Sequence, residues 1–95
     1  MKMIPKWSFD ADSIFFSAIN KWGQDAQEGV AIGECGELIA EFGRKVQGRM
    51  ELGDMIDEIA DVTIMMRQLA IIYGTKFVED RIEFKMKRLK SLVEE

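Results

Sequence analysis

The chain has 95 residues, 47% of them hydrophobic and 32% charged, which is the content of one soluble globular domain and not of a disordered segment. Its net charge of -4 argues against general nucleic-acid binding, a role that needs a basic face to replace the counterions around phosphates. Histidine is absent, so the commonest general base and the commonest transition-metal ligand are both excluded, and any catalysis runs on carboxylates, lysines, hydroxyls or bound metal.

The single cysteine, Cys35, forms no intrachain disulfide and is compatible with a reducing compartment. The opening "MKMIPKWSFD" lacks the apolar core of a signal peptide, and Arg67 and Gln68 interrupt the longest apolar run well short of a membrane span. The expectation is a cytoplasmic protein without membrane attachment. A domain this small buries only about 60% of its unfolded surface, so pairing with further copies is expected on size alone.

In chain order, the only proline is Pro5, and apolar residues recur three and four apart, which predicts an all-α fold. Ser8 or Asp10 caps a first helix carrying Ile14, Phe15, Ala18 and Ile19, with Gly23 as its stop. A second helix runs from about Gln24 to Gln47, with Cys35, Leu38, Ile39, Phe42 and Val46 as its apolar stripe and Gly48 after it. The short connection through Gly48 makes the third helix, about Glu51 to Tyr73, an antiparallel neighbour of the second. Thr75 is the expected N-cap of a fourth helix whose apolar side is Phe77, Val78, Ile82, Met86, Leu89 and Val93. The whole chain, 1–95, reads as a single domain without repeats.

Charge is unevenly spread along these elements. Five acids and no base lie between Glu51 and Asp61, whereas Lys85, Lys87, Arg88 and Lys90 cluster near the end. Such segregation fits complementary helices, or a cation site beside a phosphate site. Residues three apart share a helix face, so Glu34 with Glu37, and Glu58 with Asp61, form two carboxylate pairs bordering apolar surface. Facing pairs repel, and a divalent cation relieves that repulsion. Mg²⁺ suits the donor set best, because it takes carboxylate oxygens and is completed by water and substrate phosphates; zinc lacks its usual ligands here. A single such pair is ordinarily a solvated face, and two pairs leave that reading and a metal site equally open. Gly33 and Gly36, each costing about 1 kcal/mol inside a helix, mark either a gap beside the acids or a close helix approach. Cys35 between them reads as a small buried filler.

"GECGELIAEF" followed by "IDEIADVTIMM" resembles the MazG-like, all-α nucleoside triphosphate pyrophosphatases, marked by E-E-x-x-E on one helix and E-x-x-D on the next. The resemblance extends from about "KWGQDAQ" to "FKMKRL". It implies a four-helix subunit that assembles into a helical bundle, with Glu34, Glu37, Glu58 and Asp61 binding Mg²⁺, or Mn²⁺ in its place. The first acid of the motif is Gly33 here, a departure that bears on an outer-shell or base role more than on metal binding. The implied reaction cleaves a nucleoside triphosphate between its α- and β-phosphates, giving a monophosphate and pyrophosphate. Glu41 and Asp57 are the candidates for taking a proton from water. Lys85 and Arg88 are similar to the family's C-terminal basic pair that meets phosphates, although Glu83 stands where some relatives carry asparagine. Gln27 resembles a site-lining position, with an ordinary polar residue as the simpler reading, and Trp22 is either a base-stacking platform or a helix-end core residue.

These expectations combine into a Mg²⁺-dependent pyrophosphohydrolase of a (deoxy)nucleoside triphosphate, working in nucleotide-pool cleansing. Its assembly is a homodimer or homotetramer that buries the third helix's "VTIMMRQLAIIY". The rival is a non-catalytic helical interaction module whose acids pair with a partner's cations, or a relative that has lost activity.

Overall fold

A computed structural model describes residues 10–95, which form four α-helices. These are α1 (Ala11–Trp22), α2 (Gln24–Val46), α3 (Leu52–Tyr73) and α4 (Thr75–Val93), and no strand occurs among the described residues. The expected all-α fold is therefore present. Among the described residues, no helix is long and apolar enough to cross a membrane.

Local chemistry explains each boundary. The Asp10 carboxylate accepts a hydrogen bond from the Ser13 backbone N–H at 3.2 Å and starts α1. Ser8, the other candidate cap, and Pro5 lie outside the described residues. Gly23, at φ 92°, turns the chain between α1 and α2. After α2, Gly48 sits at φ 74°, its N–H bonding the Lys45 carbonyl while the Arg49 N–H bonds that of Arg44. That pair of bonds is a Schellman ending, and it reverses the chain into α3. Gly74, at φ 111°, divides α3 from α4, and a Cβ there would stand 2.6 Å from the Phe77 ring. Gly74, not Thr75, is the N-cap residue of α4: its carbonyl accepts from the Val78 N–H at 3.0 Å, and Thr75 is already helical.

α2 and α3 pack along most of their lengths, and they run antiparallel, because early α2 residues meet late α3 residues: Glu28 meets Tyr73, and Glu34 meets Asp61. α1 lies against both, whereas α4 touches only α3. Arg67 ties three helices together. Its guanidinium donates to both carboxylate oxygens of Asp12 on α1, at 3.2 and 3.1 Å, and to Glu79 on α4 at 3.4 Å.

The core is small. Among the described residues, Phe15, Ala31, Met55, Met65 and Ala70 are the buried apolar ones, and Gln27, Glu41 and Gln68 are also buried. On α2 the packed face differs from the expected one. Leu38 is half-buried, but Ile39, Phe42 and Val46 are 71%, 50% and 89% exposed, and the row facing α3 is Gln27, Ala31, Glu34, Leu38 and Glu41. Apolar residues occur on two sides of α2, and periodicity alone does not say which side meets a neighbour in the same chain.

Three further expectations change. Trp22 is exposed, with the Lys21 ammonium 5.4 Å from its ring centroid, so it is not a core residue. Cys35 is half-buried instead of an enclosed filler. Gly33 and Gly36 are exposed, and a Cβ at either would meet nothing within 4 Å, so close helix packing does not explain them within one chain.

Candidate metal centre

The α2–α3 seam brings three carboxylates together. Glu34 from α2, and Glu58 and Asp61 from α3, each place one oxygen within 4.8 Å of the others. Glu34 and Glu58 are half-buried, and Asp61 is at the open side. Their convergence follows from the helix repeat: Glu58 and Asp61 are three apart on α3, and Glu34 occupies the α2 position that the antiparallel register sets opposite them.

Electrostatics records the crowding. The Glu34 carboxyl is held above the ordinary carboxylate range, first by desolvation, then by the Asp61 charge and a hydrogen-bonding contact with it, and then by Glu37. Glu58 is raised for the same leading reason, followed by the charges of Asp61, Glu34, Glu37 and Glu41. Four carboxyl charges, from Asp61 on α3 and from Glu34, Glu37 and Glu41 on α2, thus act on Glu58. The Glu58 Oε2 atom is buried and has no hydrogen-bond partner. A buried acceptor without a donor is costly, and it is satisfied by a proton, a water or a cation.

The other candidate residues divide by position. Glu37 is exposed and outside the three-carboxylate group, although its charge reaches both Glu34 and Glu58. Glu41 is 5% exposed; one oxygen pairs with Arg44, and Oε2 is buried without a partner. Asp57 is exposed on α3, and among the described residues it has no ion-pair partner. Lys85 and Arg88 are exposed on α4, which does not touch α2, and neither pairs with an acid of the group. Within one chain they stand apart from the carboxylates. Trp22, at the exposed end of α1, is likewise not part of the seam.

Gln27 is 5% exposed, so it is a component of the seam and not a free surface residue. Gln68, which sequence reasoning passed over, is its counterpart: it is buried, and its Oε1 has no partner. Gln27 lies seven residues before Glu34 and Gln68 seven after Asp61, so antiparallel packing sets both amides two turns along from the acids on one side. The legible signal was a lone amide in "MMRQLAIIY", spaced two turns from Asp61. Ala31 and Met65, both buried, fall between the amides and the acids along their own helices.

The pH dependence follows from the raised carboxyls. A carboxyl that titrates above its unfolded value of 4.5 binds its proton more tightly in the folded chain. The stability it contributes is therefore present at low pH and is lost as pH rises from 4.5 through the raised value. A divalent cation needs the ionised carboxylates, so its effect has the opposite sign. The expected result is a Tm difference, with minus without Mg²⁺, that widens as pH rises through this window. Thermal melts of the native chain and of Glu34→Gln over the same pH series check it, since the variant should show a weaker trend.

Comparison with known proteins returned no matching family model, no matching curated protein and no matching solved structure.

Proposed function

We propose that the α2–α3 seam binds a divalent cation, Mg²⁺ or Mn²⁺, and that the chain is a metal-dependent nucleoside triphosphate pyrophosphohydrolase of MazG-like type. The observation that carries the reading is the meeting of Glu34, Glu58 and Asp61 oxygens within 4.8 Å, with the buried Glu58 Oε2 lacking any donor. An all-oxygen, all-carboxylate donor set suits a hard cation that retains water and accepts phosphate. Glu34, Glu58 and Asp61 would hold it, and Glu37 is close enough to add charge and, on moving, a fourth ligand. Bound there, the metal would neutralise phosphate charge and lower the pKa of a coordinated water.

The chain's own residues supply the remaining roles. Glu41 presents an unpartnered carboxylate oxygen on the same α2 row, while Arg44 holds its other oxygen, which fits a proton acceptor beside the acids. Asp57 is the second candidate for that role. Gln27 and Gln68 line the seam two turns away, at a distance suited to the nucleoside end of a substrate whose phosphates meet the metal. Lys85 and Arg88 would meet phosphates from a neighbouring subunit, because their own α4 is remote from α2. A homodimer or homotetramer acting in the cytoplasm on a deoxynucleoside or noncanonical triphosphate is the simplest setting.

The test is pyrophosphate release from a panel of canonical, deoxy and modified nucleoside triphosphates, with and without Mg²⁺. The expected result is release that requires Mg²⁺ and favours one nucleotide. Silence across the panel from folded protein that still binds Mg²⁺ would favour an inactive relative; silence without Mg²⁺ binding would favour an interaction module.

A further inference from the structure

Two turns along the α2–α3 seam from the acids lies a second buried polar layer. The register that sets Glu34 beside Asp61 sets Gln27, seven residues before Glu34, beside Gln68, seven after Asp61. Seven helical residues rise about 10 Å. Gln27 and Gln68 are 5% and 6% exposed, and neither side-chain amide hydrogen-bonds another described residue. The Gln68 Oε1 atom is buried without a donor. An unmet buried acceptor is costly, and an apolar side chain of the same length would pack there without that cost.

The layer is bounded on both sides. Towards the acids stand Ala31 and Met65, both buried. Beyond the amides, the Tyr73 hydroxyl donates to the Glu28 carboxylate, which also accepts from Gln24 Nε2 at 3.3 Å. From Gln24 to Glu34 on α2 and from Asp61 to Tyr73 on α3, the charged residues are Asp25, Glu28, Glu34, Asp61 and Arg67. Arg67 is engaged by Asp12 and Glu79, so the field these residues leave over the amides is negative.

We propose that Gln68 and Gln27 determine base specificity and select a base with an exocyclic amine, adenine or cytosine; this inference rests on the pyrophosphohydrolase reading above. The amine's two N–H groups match the two amide carbonyls, and the ring nitrogen beside the amine accepts from Gln68 Nε2. Glutamine makes this two-point contact with adenine in nucleic-acid recognition. A base with a carbonyl in that place, uracil or hypoxanthine, sets acceptor against acceptor in a negative field. With the phosphates at the acids, the two-turn offset is close to the span from α-phosphate to base edge in an extended nucleotide.

Paired nucleotides that differ in this group test the assignment: dCTP against dUTP, and dATP against dITP. Mg²⁺-dependent pyrophosphate release gives kcat/KM for each, and equilibrium titration of their non-hydrolysable α,β-imido analogues gives binding without turnover. The amino member should be favoured by about 100-fold or more in at least one pair, since a site built to hydrogen-bond a group rejects the analogue that lacks it. Gln68→Met keeps the length and removes both polar atoms. It should weaken the amino member by about 10- to 100-fold and change the oxo member by less than about 3-fold, so that the preference collapses. Its ligand-free melting temperature should stay at or above that of the native chain, which separates lost recognition from lost folding. Gln68→Asn, with the same amide on a shorter stem, should weaken the preference without reversing it, and it carries the test if the methionine variant fails to fold. A native chain that treats both members of each pair alike, or favours the oxo member, would overturn the proposal. So would a preference that both variants leave unchanged. Analogues bound with the amino preference while the triphosphates stay intact would remove the reaction and keep the base site; hydrolysis without preference would do the reverse.

Discussion

Glu58→Gln is expected to lower the proposed Mg²⁺-dependent pyrophosphate release by about 100-fold or more while raising the melting temperature of the metal-free protein. The two effects have one cause. Glu58 is crowded by the charges of Asp61, Glu34, Glu37 and Glu41, and one of its oxygens is buried without a donor. Glutamine keeps the shape, removes the charge and brings an N–H donor that a neighbouring carboxylate can accept. Without metal the folded chain therefore improves. With metal it loses a ligand, and transition-state charge stabilisation of several kcal/mol corresponds to about a hundred- to thousand-fold in rate. If the seam binds Mg²⁺ as proposed, the metal at about 100 times its Kd would add about 2.7 kcal/mol to the native chain, or roughly 10–20 °C in Tm for a domain of this size. The variant should show almost none of that rise. A variant that loses activity and metal-free stability together would instead indicate that Glu58 is a structural residue.

Met65→Ala is expected to cost about 2–5 kcal/mol, a large share of the 5–15 kcal/mol that holds a typical domain folded. Met65 is 5% exposed and lies in the α2–α3 seam between the acids and the buried amides. The described core has only four other buried apolar residues, so little surrounding structure is available to close around the cavity. The same seam positions Glu34 against Glu58 and Asp61, and a looser seam lets the carboxylates separate. Metal affinity should therefore fall along with stability. Urea unfolding with and without Mg²⁺ measures both; a loss below about 1 kcal/mol would place the core elsewhere.

The helices were legible because their punctuation is chemical. Gly23, Gly48 and Gly74 all adopt positive φ, and Asp10 caps α1 as its side chain predicts. The acid pairs were legible because spacing fixes a helix face; of the expected set Glu34, Glu37, Glu58 and Asp61, the structure brings Glu34, Glu58 and Asp61 together and leaves Glu37 outside the group. What the pattern did not reveal was the direction each face points. Ile39, Phe42 and Val46 carry the stronger apolar signal on α2, yet the row with Gln27, Ala31 and Glu41 is the one that packs. Hydrophobic periodicity ranks faces by transfer free energy, whereas the register of α2 on α3 is decided by the whole arrangement of neighbours. The stretch "VTIMMRQLAIIY", read as an interface between copies, is for the same reason already buried or half-buried inside the chain apart from Ile64 and Tyr73. Uncovered apolar side chains lie on the outer side of α2, on α1, on the first half of α3 and on the last half of α4. Gln68 was missed because one amide in an apolar run looks like an interruption, and only the antiparallel register pairs it with Gln27.

The most direct measurement is an electron paramagnetic resonance titration with Mn²⁺, in which the free aqueous ion is counted as native protein is added. The account predicts stoichiometric loss of the free-ion signal, its return on adding excess Mg²⁺, and much weaker uptake by Glu58→Gln. A free-ion signal that persists undiminished with folded protein in excess would contradict it: Glu34, Glu58 and Asp61 would then meet only to share protons, and the chain would have no metal centre.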